Sequence, residues 1–122
     1  MKALLINNHE IKVGQKAKPV AGKGEIIIRV HAAGLNPADF KLAKWFQLPP
    51  NTIPGFDVSG VVESVGPETA KLFSIGDEVV FFANVGPDSD GGFCEFVRAK
   101  ESVVFKKPKT VSFVDEIGRA HV

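Results

Sequence analysis

The fold is decided by the stretch Pro54-Gly55-Phe56-Asp57-Val58-Ser59-Gly60-Val61-Val62-Glu63-Ser64-Val65-Gly66. Residues from Asp57 to Val65 are rich in β-branched side chains, which favours a strand. Gly60 inside that strand marks a place where a neighbouring backbone can approach closely. The Gly66-Pro67 dipeptide that follows is typical of a turn.

Short strand-like segments of the same kind recur on both sides of this stretch, separated by Gly and Pro. The cluster Asn7-Asn8-His9 between the first two predicts an opening hairpin. Many short strands with such turns predict a mostly β protein with a closed or partly open sheet. The other predicted strands are Lys2–Ile6, Glu10–Lys16, Glu25–Ala33, the turn and strand over Gly76–Phe82, Phe93–Val97 and Ser102–Lys106.

One segment, Ala38–Trp45, is predicted to be helical. Asn36 is a favourable cap for its start, and Pro37 is favourable at the first helical position. The run Leu48-Pro49-Pro50-Asn51 ends it, and Val85–Gly92 reads as a polar, glycine-rich loop.

Composition limits the class of protein. The chain has 122 residues, 44% apolar and 24% charged, which suits one globular domain, and its net charge of +1 favours neither nucleic acid nor an anionic membrane. The tightest basic group, Lys106-Lys107-Pro108-Lys109, is expected to be a solvated loop. One cysteine excludes an internal disulfide and a four-cysteine zinc site. Without a membrane span or a leader peptide, the cytoplasm is the expected location, with an organelle as the alternative.

Four segments, taken in order, resemble the N-terminal GroES-like domain of the medium-chain dehydrogenases/reductases from Met1 to about Val114. This resemblance implies a partly open β-barrel with one or two short helices. The matching segments are Ala32–Asp39 (A-x-G-[LV]-N-P-x-D), Pro54–Gly66 (P-G-x-[DE]-x-x-G-x-V-x-x-V-G), Gly76–Val79 (G-D-x-V) and Gly91–Phe96 (G-[GS]-x-A-E-[FY]).

The resemblance is to the zinc-independent branch. Zinc-dependent alcohol dehydrogenases carry Cys at the position of Asn36 and His-Glu at the position of Phe56-Asp57. Zinc prefers thiolate and imidazole ligands, so no metal site is expected here. Lys41, within Asn-Pro-x-Asp-x-Lys, is typical of the alkenal/quinone reductase and reticulon-interacting subgroup.

The resemblance also implies a protein of two domains, in which a Rossmann domain after the barrel binds most of the NADPH. This sequence contains no G-x-G-x-x-G fingerprint. We expect residues 1–115 to form the GroES-like domain, with the Rossmann domain absent. Residues 116–122 match one reading frame of a common sequencing-adapter read and are expected to be a non-native tail, a genuine short tail being the alternative.

Five residues are candidates for the site. The resemblance places Asn36 near the nicotinamide and the substrate carbonyl, where its amide could act catalytically by donating to a developing oxyanion. Alternatively, it only caps the helix. Asn36 and Lys41 are the candidate cofactor-binding residues, the alternative for Lys41 being a solvated helix lysine. Phe40, Trp45 and Phe46 either wall the substrate cleft or cover the core.

Other titratable residues are assigned structural roles. Asp57 is expected to hydrogen-bond a neighbouring strand or turn, and Asp39 to favour the positive end of the helix dipole. Cys94 is expected to behave as a small buried hydrophobic residue rather than a reactive thiol. The three histidines, His9, His31 and His121, show no metal-ligand spacing.

These features predict the N-terminal catalytic domain of an NAD(P)H-dependent oxidoreductase that reduces quinones or α,β-unsaturated carbonyls by hydride transfer. The fragment alone is expected to be inactive, because the cleft lies between two domains, and the parent is expected to be a homodimer. One alternative is a non-enzymatic GroES-like binding or structural module, although Val85–Gly92 is a poor match for the mobile loop of a co-chaperonin. The other is the N-terminal domain of a zinc alcohol dehydrogenase, which the missing ligands oppose.

Overall fold

The computed structural model of the chain describes residues 1–69, 71–86, 89–108 and 110–114. The expected domain boundary at residue 115 and the expected tail at 116–122 lie outside these ranges. The described residues form seven strands, one α-helix and one short 3-10 helix. In chain order they are β1 (Lys2–Asn7), β2 (Glu10–Gln15), β3 (Glu25–Gly34), α1 (Pro37–Trp45), β4 (Asp57–Val65), β5 (Glu78–Phe82), β6 (Phe96–Lys100), the 3-10 helix Glu101–Val103, and β7 (Val104–Lys106).

The strands make two antiparallel sheets. β1 and β2 form the predicted hairpin, and the other five strands form a sheet in the order β6-β3-β4-β5-β7. Isolated bridges join β1 to distant loops, between Ala3 and Cys94 and between Ile6 and Thr52. The described sheets do not close, so the prediction of a mostly β, partly open architecture with one or two short helices is confirmed.

Strand β4, which the opening stretch predicts, lies in the middle of the larger sheet. Val58 and Val62 are buried in the main core cluster. Gly60 pairs with Val30 on one side and with Val79 on the other. A Cβ atom at Gly60 would overlap the carbonyl oxygen of Arg29. The close backbone approach expected from this glycine is therefore present.

Two predicted strands are displaced, and both differences have a structural cause. Phe93 and Cys94 do not begin β6. They lie against β1 instead, where the backbone N–H of Leu4 donates to the Phe93 carbonyl oxygen at 2.9 Å and Cys94 bridges Ala3. β6 then starts at Phe96 and pairs with β3. The last strand starts at Val104 because Glu101–Val103 forms the 3-10 helix.

The last described segment is fixed to the sheet, which corrects one prediction. Lys107 was expected in a solvated loop, yet its side chain is only 2% exposed and its Nζ lies 3.2 Å from Oε2 of Glu78. The same Nζ stands 4.9 Å from the ring centre of Phe113. The Phe113 ring stacks on His31 at 4.5 Å between ring centres, and its carbonyl oxygen accepts from Ser59 Oγ at 3.1 Å. These contacts hold the chain beside β3 and β4 as far as Phe113.

Among the described residues, none form a helix with the length and hydrophobicity that crossing a lipid bilayer requires.

The main core cluster is formed by side chains of the larger sheet and of the loops beside it. A second, smaller cluster packs under the hairpin around Ala3, Leu5 and Ile53. The main cluster contains Ile26, Ile28, Val58, Val62, Phe73, Val79, Phe81, Ala83, Val85, Val97, Ala99 and Val104.

Candidate functional site

The candidate site lies where β3 ends and α1 begins. β3 ends at Gly34, and α1 begins at Pro37 with Asn36 as its N-cap, whose backbone is extended at φ −125° and ψ 151°. The N-cap and first-position predictions for Asn36 and Pro37 are confirmed. The helix is attached at its other end to the β1–β2 turn, because Nδ1 of His9 lies 3.0 Å from the carbonyl oxygen of Ala43.

The side chain of Asn36 is held by Asp57. Nδ2 of Asn36 donates to Oδ2 of Asp57 at 2.9 Å, and the side chain of Asp57 is buried, since the residue is 5% exposed. Strand pairing creates this contact, because Asp57 lies opposite Gly34 in the β3–β4 register and Asn36 follows Gly34 by two residues. Asp57 was expected to hydrogen-bond a neighbouring strand or turn, and the structure shows a bond from the side chain of Asn36, the cap residue of α1.

A second buried carboxylate ties the start of the helix to the loop before β4. Asp39 is fully buried. Its Oδ2 accepts from the backbone N–H of Asn36 at 3.0 Å, and its Oδ1 accepts from the backbone N–H of Gly55 at 2.9 Å. The first bond is the reciprocal half of a capping box, which fits the predicted role of Asp39 at the helix start. The sequence prediction missed the second bond. Gly55 has a positive φ of 109°, which favours glycine, and the Pro54-Gly55 dipeptide was the only local signal of a turn there.

The remaining candidates lie on the solvent side of α1. Its buried residues are Asp39 and Ala43, while Lys41 is exposed. Phe40 and Trp45 are 58% and 65% exposed, and Phe46, just after the helix, is 59% exposed. None of the three belongs to a core cluster of the described residues, and the prediction that they wall a cleft stays a prediction.

Leu35 is a further exposed apolar residue near the helix start, and the sequence prediction missed it. It is 70% exposed and directly precedes Asn36. Two cavities lie near the site, and of the five candidates only Phe46 lines one of them. One of about 380 Å³ lies between the β1–β2 turn and the segment after α1 and includes Phe46, and one of about 740 Å³ lies beside β5 and β6. Neither is lined by Asn36 or Lys41. The structure brings Asn36, Asp39 and Asp57 together and leaves Phe40, Lys41 and Trp45 on an open face.

The donor set at this position does not fit zinc. An amide and a buried carboxylate stand at positions 36 and 57, and the Phe56 ring stacks on Phe82 at 5.6 Å between ring centres. Within the described part of the chain, no group of three or more His, Cys, Asp or Glu side chains is placed to hold a metal ion. Zinc sites need three or four such ligands.

We therefore predict that the purified protein retains no stoichiometric zinc. The physical reason is the replacement of thiolate and imidazole by Asn36 and Phe56, neither of which is a ligand that zinc prefers. Elemental analysis after washing with a chelator measures this directly. One zinc ion retained per chain would contradict the zinc-free assignment.

Cys94 is a poor nucleophile. Its Sγ donates to the carbonyl oxygen of Phe96 at 3.1 Å. Burial, and to a smaller extent the neighbouring Asp90 carboxylate, raise the pKa of the Cys94 thiol to about 12. The thiolate is the reactive form of cysteine, so a raised pKa lowers reactivity at neutral pH.

Alkylation tests this property of Cys94. Near pH 8, a pKa of about 12 leaves about one thiol in ten thousand ionised, so iodoacetamide should react about a thousandfold more slowly than with free cysteine. The same thiol in denaturant serves as the control and should react at the ordinary rate. Equal rates for the folded and unfolded chain would contradict the raised pKa and show that the Cys94 thiol is accessible and has ordinary reactivity.

Comparison with known proteins agrees with this geometry. The family model described as the alcohol dehydrogenase GroES-like domain matches residues 22–109. A trans-enoyl reductase of Alternaria alternata is 35% identical, over 93% of this chain and 34% of its own length. The NADPH-dependent alkenal/one oxidoreductase of Arabidopsis thaliana chloroplasts is 36% identical, over 82% of this chain and 28% of its own length.

A solved structure shows the same fold. The quinone oxidoreductase of Coxiella burnetii superposes with a TM-score of 0.84 at 28% identity, covering 94% of this chain and 39% of that protein. The chain thus spans about a third of the length of the curated relatives it matches. These relatives are oxidoreductases, as the resemblance to the medium-chain dehydrogenases/reductases predicted. The chain belongs to the family of alcohol dehydrogenase GroES-like domains.

Proposed function

We propose that this chain is the substrate-side domain of a zinc-independent, NAD(P)H-dependent oxidoreductase that reduces quinones or α,β-unsaturated carbonyls. The observation that carries the proposal is the Asn36 amide, held by a buried carboxylate at the edge of an exposed apolar face. Relatives named as enoyl, alkenal and quinone reductases support the substrate class.

The role of Asn36 follows from the chemistry of conjugated carbonyls. Negative charge develops on the carbonyl oxygen as such a substrate is reduced, and a fixed donor at that oxygen stabilises the transition state. One N–H of Nδ2 is bonded to Asp57. An amide nitrogen carries two N–H donors, so the second is free to donate to the substrate oxygen.

The exposed side of α1 would form one wall of the cleft. Phe40, Trp45 and Phe46 offer apolar surface for a conjugated ring or chain, and Leu35 extends it towards Asn36. The Lys41 cation lies on the same exposed side of the helix and would attract an anionic phosphate or enolate oxygen. Large apolar groups left exposed in this way suit a surface that a second domain covers.

The cofactor belongs mainly to that second domain. When bound, the nicotinamide of NADPH supplies the hydride. In the described part of this chain, the Asn36 amide can donate a hydrogen bond to one oxygen atom, and the exposed Lys41 ammonium can pair with one anionic oxygen. These two groups suit a single oxygen atom rather than a whole dinucleotide. The proposal includes a GroES-like domain over residues 1–115, a non-native tail at 116–122, a homodimeric, cytoplasmic parent, and little activity in the isolated chain.

A substrate panel tests the proposal in the full-length protein that contains this domain and a cofactor domain. Consumption of NADPH should be seen with a quinone and with an enone, and not with a saturated ketone. The isolated 122-residue chain is the control and should consume none. Zinc-dependent oxidation of a simple alcohol would contradict the proposal, and no turnover of any substrate would favour a non-enzymatic module.

A further inference from the structure

We infer that Asp57 is a positioning residue that fixes the orientation of the Asn36 amide. The orientation itself is a property of this chain. Its consequence for catalysis rests on the proposed function, in which Asn36 donates to the substrate oxygen. The two parts of the inference are therefore tested by separate measurements.

The backbone holds the Asp57 carboxylate in place from both sides. Asp57 is the first residue of β4 and pairs with Gly34 of β3 and with Phe82 of β5. The residue is only 5% exposed, so its side chain cannot turn away into solvent. Asn36 is tethered in the same way, because its backbone N–H donates to Oδ2 of Asp39, which is fully buried. The 2.9 Å contact between Asn36 and Asp57 thus joins two fixed points.

The chemistry of the two groups gives this contact a direction. An amide has a donor end and an acceptor end, whereas an ionised carboxylate only accepts hydrogen bonds. With Nδ2 towards Asp57, the contact is a charge-assisted hydrogen bond. If the amide were flipped, its oxygen would face a carboxylate oxygen and two acceptors would repel each other. Asp57 therefore favours one of the two amide orientations, the same one that leaves the amide oxygen towards the backbone N–H of Asp39 in the capping box.

The selected orientation is the one that the proposed chemistry needs. The second N–H of Nδ2 has no acceptor among the described residues, so it is available to a ligand oxygen. A flipped amide would offer an oxygen there instead and would oppose negative charge on the substrate. The sequence alone assigned Asp57 no part in this, because the contact spans 21 residues and depends on the register of β3 against β4.

Hydrogen exchange of side-chain amides in the isotope-labelled chain tests the orientation. One Asn36 N–H should exchange at least about tenfold more slowly than the exposed amide of Asn8, because it is hydrogen-bonded away from solvent. Asp57→Ala should remove this protection, and the exposed control Glu10→Ala should not. Asp57→Asn keeps the size of the side chain and accepts either amide end, so protection should fall only in part.

Unchanged protection in Asp57→Ala would overturn the inference. Should that variant fail to fold, unchanged protection in Asp57→Asn would overturn it equally. These outcomes do not depend on activity. Loss of protection in the variants, with no turnover of quinone or enone by the wild-type full-length protein, would leave the positioning intact and reject the proposed function.

A double-mutant cycle in the full-length protein tests the catalytic part. Asp57→Ala alone should lower kcat by at least about tenfold, towards the loss caused by Asn36→Ala, because a misoriented donor stabilises the oxyanion poorly. In the Asn36→Ala background, Asp57→Ala should change kcat no further, since residues that act through one group are non-additive. Additive losses would show that Asp57 acts independently of Asn36.

Discussion

Replacing Asp39 by alanine should lower the free energy of unfolding of this chain by about 2–3 kcal/mol, since a buried N–H donor left unpaired costs about 1–3 kcal/mol and a second, half-buried donor adds to that loss. These donors are the backbone N–H groups of Asn36 and Gly55, which have the fully buried carboxylate as their acceptor. A loss of that size is large for a domain whose total stability is about 5–15 kcal/mol. Urea unfolding followed by circular dichroism is the suitable measurement, because Trp45 is 65% exposed and reports poorly on folding.

Two further variants make the Asp39 experiment specific. Asp39→Asn keeps one acceptor oxygen but turns an NH₂ group towards the other donor, so its loss should be intermediate. Glu68→Ala, at a side chain that is 63% exposed, should stay within about 0.5 kcal/mol of wild type. A loss below about 1 kcal/mol in Asp39→Ala would mean that water or a local shift satisfies both backbone donors.

Local patterns in the sequence predicted the strands and the helix start well. β4 has the predicted bounds, Asp57–Val65, and Asn36 and Pro37 occupy the predicted cap positions. Each depends on neighbours in sequence: β-branched enrichment in one case and cap chemistry in the other. β6 was misplaced because Phe93 and Cys94 pair with β1, about 90 residues away, and no local pattern records a partner at that distance.

The side chains of α1 show a second limit of the sequence. Apolar residues are spread around this nine-residue helix and its end, so periodicity does not separate a core face from a solvent-exposed face. The structure separates them: Ala43 is buried, whereas Phe40, Trp45 and Phe46 are exposed.

The polar contacts of the site could not be predicted from the sequence, for a related reason. The Asp39–Gly55 and Asn36–Asp57 bonds span 16 and 21 residues and exist only once β3, α1 and β4 are assembled. The residue types suggested roles for Asn36, Asp39 and Asp57. The assembled strands determine which of these side chains hydrogen-bonds to which partner.

In the full-length protein, Asn36→Ala should lower kcat by about 10²–10³-fold, the loss seen when one oxyanion-hole donor is removed. The KM for NADPH should change little, because most of the cofactor contact is expected in the other domain. The structure adds a cost that helix capping alone does not include. Asp57 is buried and loses its Asn36 donor, so stability should also fall by about 1–3 kcal/mol.

Because Asn36→Ala is expected to lower the melting temperature whether or not Asn36 acts in catalysis, kcat must be compared with a variant of matched stability. Ser59→Ala suits this purpose: Ser59 is fully buried, and its Oγ donates to the Phe113 carbonyl oxygen at 3.1 Å rather than to Asn36 or Asp57. It should lose a similar amount of stability, about 1 kcal/mol or more, and keep kcat near wild type. Measuring both steady-state kinetics and thermal melting on the two variants then separates a catalytic role of Asn36 from a structural one. If Asn36→Ala and Ser59→Ala lose stability alike and both keep kcat, Asn36 is a structural residue, and the donor to the substrate oxygen must be sought elsewhere.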